Sequence, residues 1–303
     1  MIGLLNDLYV NVVLTTPLVG AYTMFALGIV FIYRASRVLN LAHGAMAMVP
    51  AYLAYSLTGG IGVLPASVVA LGAGAALGVF VERLVVRRLR PVSDTAQTVG
   101  TVGVFGLLVA LAARVWGTTP VEAPNLFPDA TFSVGNSVVQ LVDVGLFLIA
   151  IGATIGSLAL FRFTDLGLAM RCAADNRRAA RLMGIDPDRT TMVAWFMAGA
   201  FAALGGLLLG ASTNLHPYIL SLQVLPAFVA ALIGGLENVK GAFVGAMIVG
   251  LTVGVVPVVG DIGQQVGAPQ LVLALLAFVV MSLRGARFSV AASSNATEGG
   301  GLL

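Results

Sequence analysis

The feature that most constrains this chain is how rarely a charge interrupts stretches long enough to cross a bilayer. A helical span needs about 20 mostly apolar residues. Nine stretches meet that need: 8–33, 38–57, 61–85, 96–116, 138–161, 190–211, 218–236, 240–260 and 268–284. Of the 303 residues only 10% are charged and 59% are hydrophobic, against about 25% charged residues in an ordinary soluble domain. So little polar cover suits a surface solvated by lipid. The expected fold class is all-α: a polytopic transmembrane helical bundle of about 8–10 helices, each span closing its backbone hydrogen bonds within itself.

Two spans carry local signals. Asn40, His43, Gly44 and Pro50 weaken the second, which is expected to be broken or partly re-entrant. The seventh and eighth are separated only by Glu237-Asn238-Val239-Lys240 and should form a tight hairpin. The first stretch, preceded by no Lys or Arg, is too long for the roughly 7–15-residue apolar core of a signal peptide and reads as a retained span.

Basic residues test the spans independently, because Lys and Arg collect in cytoplasmic loops. Arg34 and Arg37 follow the first span, and Arg83, Arg87, Arg88 and Arg90 follow the third. Arg162, Arg171, Arg177, Arg178, Arg181 and Arg189 lie between the fifth and sixth, Lys240 between the seventh and eighth, and Arg284 and Arg287 after the ninth. With the N-terminus outside, all of these fall inside, and only Arg114 sits near an outer end. The chain is therefore expected to run N-out and C-in, in the cytoplasmic (inner) membrane, with an odd number of spans.

One transmembrane domain is expected over 1–288, with the tail 289–303 disordered because it is small and polar. The outer loop 117–137 holds Pro120, Pro124 and Pro128, which favour irregular backbone, with a small hairpin near Thr131–Ser137. The inner loop 162–190 is the only substantial cytoplasmic one. It reads as helical over Gly167–Gly184, where Gly184 stops the helix and Pro187 cannot continue it.

Several chemistries find no residues. The only lysine is Lys240, and no G-x-x-x-x-G-K-[ST] run exists to cradle a nucleotide. Cys172 is the single cysteine and His43 and His216 the only histidines, so no disulfide, metal site or cofactor is expected. No nucleophile–base pair or paired carboxylates lie within one span, so an enzyme is not expected. Glycines such as Gly72, Gly74 and Gly78, or Gly199, Gly205 and Gly206, read as faces for tight helix packing. Asn40, His43 and Gly44 read either as lining a translocation path or as a polar contact between packed helices.

The inner loop has two readings. Ala173, Ala180, Met183 and Gly184 could seat in a groove of a cytoplasmic partner, rimmed by Arg177, Arg178 and Arg181. Equally, its arginines could lie on anionic headgroups. Ala179-Ala180 followed by Gly184 resembles the coupling loop of ABC importer permeases, and Arg171–Arg189 as a whole is similar to the LivH-like permeases for branched-chain amino acids. Two further stretches carry the same resemblance, in the same order along the chain. They are Val38-Leu-Asn-Leu-Ala-His-Gly-Ala-Met-Ala-Met and Leu232-Ile-Gly-Gly-Leu-Glu-Asn-Val-Lys-Gly-Ala-Phe-Val-Gly-Ala. Glu237 and Lys240 depart from it by charging the hairpin.

The resemblance implies one half of a translocation path for branched-chain or other apolar amino acids. It implies a second homologous permease, two cytoplasmic ATPases and a periplasmic or lipid-anchored solute-binding protein, and no nucleic acid. The residues it implies for the ATPase contact are Ala173, Ala174, Asp175, Arg177, Arg178, Ala179, Ala180, Arg181, Met183 and Gly184. Urea and short-chain amide permeases share the pattern, and a self-sufficient transporter or channel is the reading outside it.

Overall fold

The structure, a computed structural model, describes residues 15–124, 130–134, 137–258, 265 and 267–282. Helices α1 (Thr16–Ser36), α2 (His43–Ile61), α3 (Val63–Leu89) and α4 (Asp94–Trp116) come first. Strands β1 (Thr131–Val134) and β2 (Ser137–Gln140) form the expected antiparallel hairpin in register Thr131 to Gln140. Then come α5 (Leu141–Phe163), two short helices α6 (Asp165–Asp175) and α7 (Arg177–Leu182), and the long α8 (Pro187–Ser212). The chain continues through α9 (Pro217–Leu222), α10 (Val224–Gly234), α11 (Val239–Val255) and α12 (Ala268–Ser282). Residues 8–14 of the first expected span, Pro128 of the outer loop and the tail 289–303 lie outside the described residues.

Each of the nine apolar stretches contains helix, but among the described residues six helices are long and apolar enough to cross a membrane. These are α1, α3, α4, α5, α8 and the α9–α10 pair taken together, while α11 and α12 are apolar but shorter.

The core is built around α1, which is 83% buried over its apolar window. Its sequence is apolar all round, as a fully enclosed helix must be, and it packs against α8, α5, α11 and α10. The Thr23 hydroxyl deep within it donates to the Val19 carbonyl of its own helix at 2.7 Å.

Close backbone approach locks the surrounding helices together. A Cβ added at Gly199 of α8 would stand 2.2 Å from the Gly74 carbonyl oxygen of α3. Gly234 and Gly241, either side of the α10–α11 turn, face each other so closely that a Cβ on Gly241 would lie 2.0 Å from the Gly234 oxygen. Packing of this kind replaces the hydrophobic drive that lipid removes. Gly72 does not take part, for nothing lies within 4 Å of where its Cβ would be.

The helix breaks fall elsewhere than expected. α2 runs unbroken through Pro50, whose ring rests in the space left by Gly74, 3.1 Å from where a Cβ there would be. The stretch 218–236, expected as one span, is interrupted at Gln223. Pro226 has no N–H to offer the Leu222 carbonyl, which removes the bond that would carry the helix across that point.

Candidate functional site

Every described Lys and Arg except Arg114 lies at one end of the bundle, where α1, α3 and α5 finish and α8 and α11 start. The segment 162–190 is laid across this end. Three caps fix its path. The Thr164 hydroxyl accepts from the Gly167 N–H at 3.1 Å and starts α6. Asn176, in extended backbone, ends α6 and starts α7, its Oδ1 accepting from the Arg178 and Ala179 N–H groups at 3.0 Å each. Asp186 accepts from the Asp188 N–H at 2.9 Å, with Pro187 in the first turn of α8. These are favoured residues at each position. The stretch expected as one helix over Gly167–Gly184 is thus two helices, and Gly184, at φ +80°, turns the chain toward α8.

An ionic cluster pins this segment to the bundle. Asp188 pairs with Arg177 at 2.5 Å, with Arg181 at 3.4 Å and with Arg90. Arg90 also reaches Glu82 at 3.2 Å, and Arg87 reaches the other Glu82 oxygen at 2.8 Å. Glu82 is fully buried and opens a π-helical turn, Glu82–Val86, in α3. Such single-turn insertions are frequent at functional sites, and Arg87 and Arg90, which follow this one, both reach Asp188 at the α8 start. Arg177 also donates to the Thr191 hydroxyl at 3.2 Å. Burial lowers its pKa from the ordinary guanidinium value, Arg90 adding to that and Asp188 opposing it. A second clamp sits across the face. Arg37 pairs with Glu237 of the α10–α11 turn, and Arg34 lies 4.2 Å over the Phe161 ring.

The residues read from sequence separate into two sets. Ala173 and Ala180 are buried within the chain itself, and Ala174 is half-buried. Arg177 turns inward to Asp188. Asp175, Arg178, Ala179, Arg181, Met183 and Gly184 are exposed. The sequence reading passed over Leu182, which is 87% exposed next to Met183 at 73%. Two large apolar side chains projecting from the end of a polar, firmly held helix are the most unusual exposure on this face. The place of Leu182, about 200° around α7 from the buried Ala180, was the signal available.

Asn40, His43 and Gly44 form a packed elbow where the chain enters α2. The Asn40 Oδ1 accepts from the Ala42 N–H at 3.1 Å, and its amide donates to the Met46 sulfur at 3.2 Å. His43 is wholly buried, edge-on to Phe25 with ring centroids 6.2 Å apart, and Gly28 leaves the room its ring occupies. Among the described residues neither ring nitrogen has a hydrogen-bond partner. Gly44 lets α2 pass so close to α9 that a Cβ would meet the Ser221 oxygen at 1.9 Å.

At the opposite end, Trp116 stacks on Tyr52 at 5.2 Å and donates to the Ser56 hydroxyl at 2.7 Å. Val121 and Leu215 exchange backbone hydrogen bonds of 3.1 and 2.8 Å. There α9 presents Tyr218, Ile219 and Leu222 outward.

Residues 11–283 match the family model described as branched-chain amino acid transport system / permease component. The high-affinity branched-chain amino acid transport system permease protein LivH of Escherichia coli is 26% identical over 251 residues, 77% of this chain and 80% of the relative. The probable LivH of Methanocaldococcus jannaschii is 27% identical over 270 residues, 82% of each. BraD of Pseudomonas aeruginosa is 25% identical over 248 residues, covering 77% of this chain and 80% of its own.

Proposed function

Because this chain belongs to the family of branched-chain amino acid transport permease components, we propose that it forms one half of the translocation path of an ATP-driven importer for branched-chain or other apolar amino acids. ATP hydrolysis is the work of separate subunits, and the chain serves as membrane-spanning conduit and mechanical receiver. In this reading it sits in the cytoplasmic membrane, N-out and C-in, with α2, α11 and α12 completing nine spans. The confinement of described basic residues to one end supports that orientation.

The observation that carries the reading is the anchored helix pair α6–α7 with its exposed Leu182 and Met183. A moving partner can transmit force only through a contact that is both gripped and rigidly connected. Leu182 and Met183 supply the grip, with Arg178, Ala179, Arg181 and Gly184 around them. The Asp188 cluster supplies the connection, through Arg177 to α8 and through Arg90 to α3. Asn40, His43 and Gly44 hold the α1–α2–α9 junction in place. The partners are a second homologous permease, two cytoplasmic ATPases and a periplasmic or lipid-anchored solute-binding protein.

The test is co-purification of the tagged chain from native membranes in mild detergent. Two ATPases are expected with the wild type and are lost in the Leu182→Glu/Met183→Glu variant, whose own melting temperature is unchanged. Recovery of the wild-type chain alone, where known membrane complexes survive the same detergent, overturns the reading.

A further inference from the structure

We propose that the seam between α5 and α11 is a binding site for an anionic phospholipid, with an acyl chain in an apolar groove and the phosphate on Lys240 and Arg162. The permease reading assigns nothing to this seam, and the site stands or falls apart from it.

The groove exists because both helices lean on a third. Gly20 lets α5 approach α1 until a Cβ there would stand 3.0 Å from the Leu146 carbonyl oxygen. Gly250 brings α11 in until its Cβ would stand 3.1 Å from the Val19 backbone. Each helix packs extensively on α1 and only thinly on the other. Between them lies a groove of about 280 Å³, walled by Ile151, Thr154, Ile155 and Leu158 of α5 and by Phe243 and Val244 of α11, with Lys240 also in its lining. The α5 residues fall at i, i+3, i+4 and i+7, one helix face, over roughly 10 Å along the axis. Thr154 donates to the Ala150 carbonyl at 2.8 Å, so it asks nothing of an occupant. Phe243 is steadied by Phe147, with ring centroids 6.3 Å apart. Ile155 and Val244 are 60% and 52% exposed, which leaves the trough open to a flexible hydrocarbon.

The basic end of the groove fixes the charge of the occupant. Lys240 is exposed one turn before Val244, and Arg162, also exposed, follows Leu158 by one turn on the same face of α5. Neither makes an ion pair among the described residues. Glu237, the acid nearest Lys240 in sequence, pairs with Arg37. A helix of a second protein lying in the trough would leave both cations unmatched, and a zwitterionic lipid brings a positive charge along with its phosphate. An anionic phospholipid supplies hydrocarbon to the trough and net negative charge to its mouth. The Lys240 stem can lie along the apolar wall while its ammonium reaches headgroup level, and Arg162 offers a fork of donors to the phosphate. Basic pockets between transmembrane helices on the cytoplasmic side take such lipids, and the orientation proposed above puts the pocket there. The bound lipid bridges α5, which runs into α6, and α11, whose entry turn carries the Arg37–Glu237 clamp.

The experiment uses the full chain, with any subunits that purify with it, in nanodiscs of equal parts phosphatidylcholine and phosphatidylglycerol. A trace of either lipid carries a photoactivatable diazirine on its acyl chain, and labelled peptides are identified by mass spectrometry. Both leaflets hold both lipids, so the outcome does not depend on membrane orientation. Phosphatidylglycerol is expected to label 151–158 and 243–244 more than phosphatidylcholine does. Lys240→Gln lowers that labelling about fivefold, the worth of one basic residue at an anionic surface, and Arg162→Gln does the same. Lys240→Arg retains it, and Arg178→Gln, an exposed cation elsewhere on the same end, leaves it unchanged. Val244→Trp, which fills the groove, lowers labelling of α5 by both lipids. Equal labelling by the two lipids overturns the site and leaves only ordinary solvating lipid. An equal fall in Arg178→Gln overturns it in favour of general surface charge. Cross-linking of 151–158 to a second protein subunit in place of lipid makes the groove a subunit interface and overturns it as well. None of these outcomes touches the permease reading, and a preparation without ATPases does not bear on the labelling.

Discussion

Arg177 and Asp188, eleven residues apart in sequence, meet at 2.5 Å and close the short segment between α7 and α8 into a rigid staple. The same carboxylate receives Arg90 from α3, ninety-eight residues away. The position of α7 is thus set by the transmembrane helices and not by its own short length.

That pairing separates two neighbouring arginines. Arg177→Glu sets a second carboxylate against Asp188 and should release α7, abolishing ATPase recovery and exposing the 162–190 segment to protease. Arg178→Glu, on the exposed side, should leave protease resistance intact and weaken the ATPase contact only modestly. Limited proteolysis beside co-purification reads both.

Asp188→Ala leaves Arg90, Arg177 and Arg181 facing one another. The carboxylate is about one-third exposed, so water screens part of the loss, and a destabilisation of about 1–2 kcal/mol is expected. Glu82→Gln is the harsher change, since Glu82 is fully buried and two arginines depend on its charge. About 3 kcal/mol is expected there. Thermal unfolding of both variants in nanodiscs gives the order, and an Asp188 variant less stable than the Glu82 variant would contradict this account of the cluster.

Glycine substitutions should divide by surroundings. Gly199→Ala forces a methyl against the Gly74 carbonyl and should cost about 1–3 kcal/mol, because backbone cannot step aside. Gly72→Ala meets nothing and gains helix propensity worth up to about 1 kcal/mol. The yield of folded, monodisperse protein and its melting temperature should move in opposite directions for the two.

His43 offers a test of the elbow. Both ring nitrogens are buried without partners among the described residues, so replacing the imidazole by an apolar side chain removes an unmet desolvation cost. His43→Leu should match or exceed the wild type in melting temperature. Loss of uptake in that stable variant would show that the imidazole serves transport itself.

The apolar stretches located the helices because the burden of crossing lipid falls on composition, which local sequence displays directly. The loop 162–190 was legible as helical for the same reason, yet its division at Asn176 was not read, although Asn before Arg178 and Ala179 is ordinary capping chemistry. Prolines misled in both directions. Pro50 was expected to break α2 and does not, since Gly74, on another helix, makes room for its ring. Pro226 drew no attention and accompanies the interruption at Gln223. The Glu82–Arg90–Asp188 cluster was out of reach, because its members come from segments about a hundred residues apart and only the folded chain brings them together.

The enclosure of α1 bears on how the protein is made. The helices that wrap it, α5, α8, α10 and α11, are all synthesised after it. For much of translation α1 must therefore wait in lipid with its future interior surface bare, at a cost set by the few polar groups it carries there. Thr23, bonded to its own backbone, adds little to that cost, and Tyr22 must tolerate its hydroxyl until Gln223 arrives to accept from it. Membrane insertion in this chain is thus temporally separate from folding: the helix that enters early becomes the centre only when the second half of the chain closes over it.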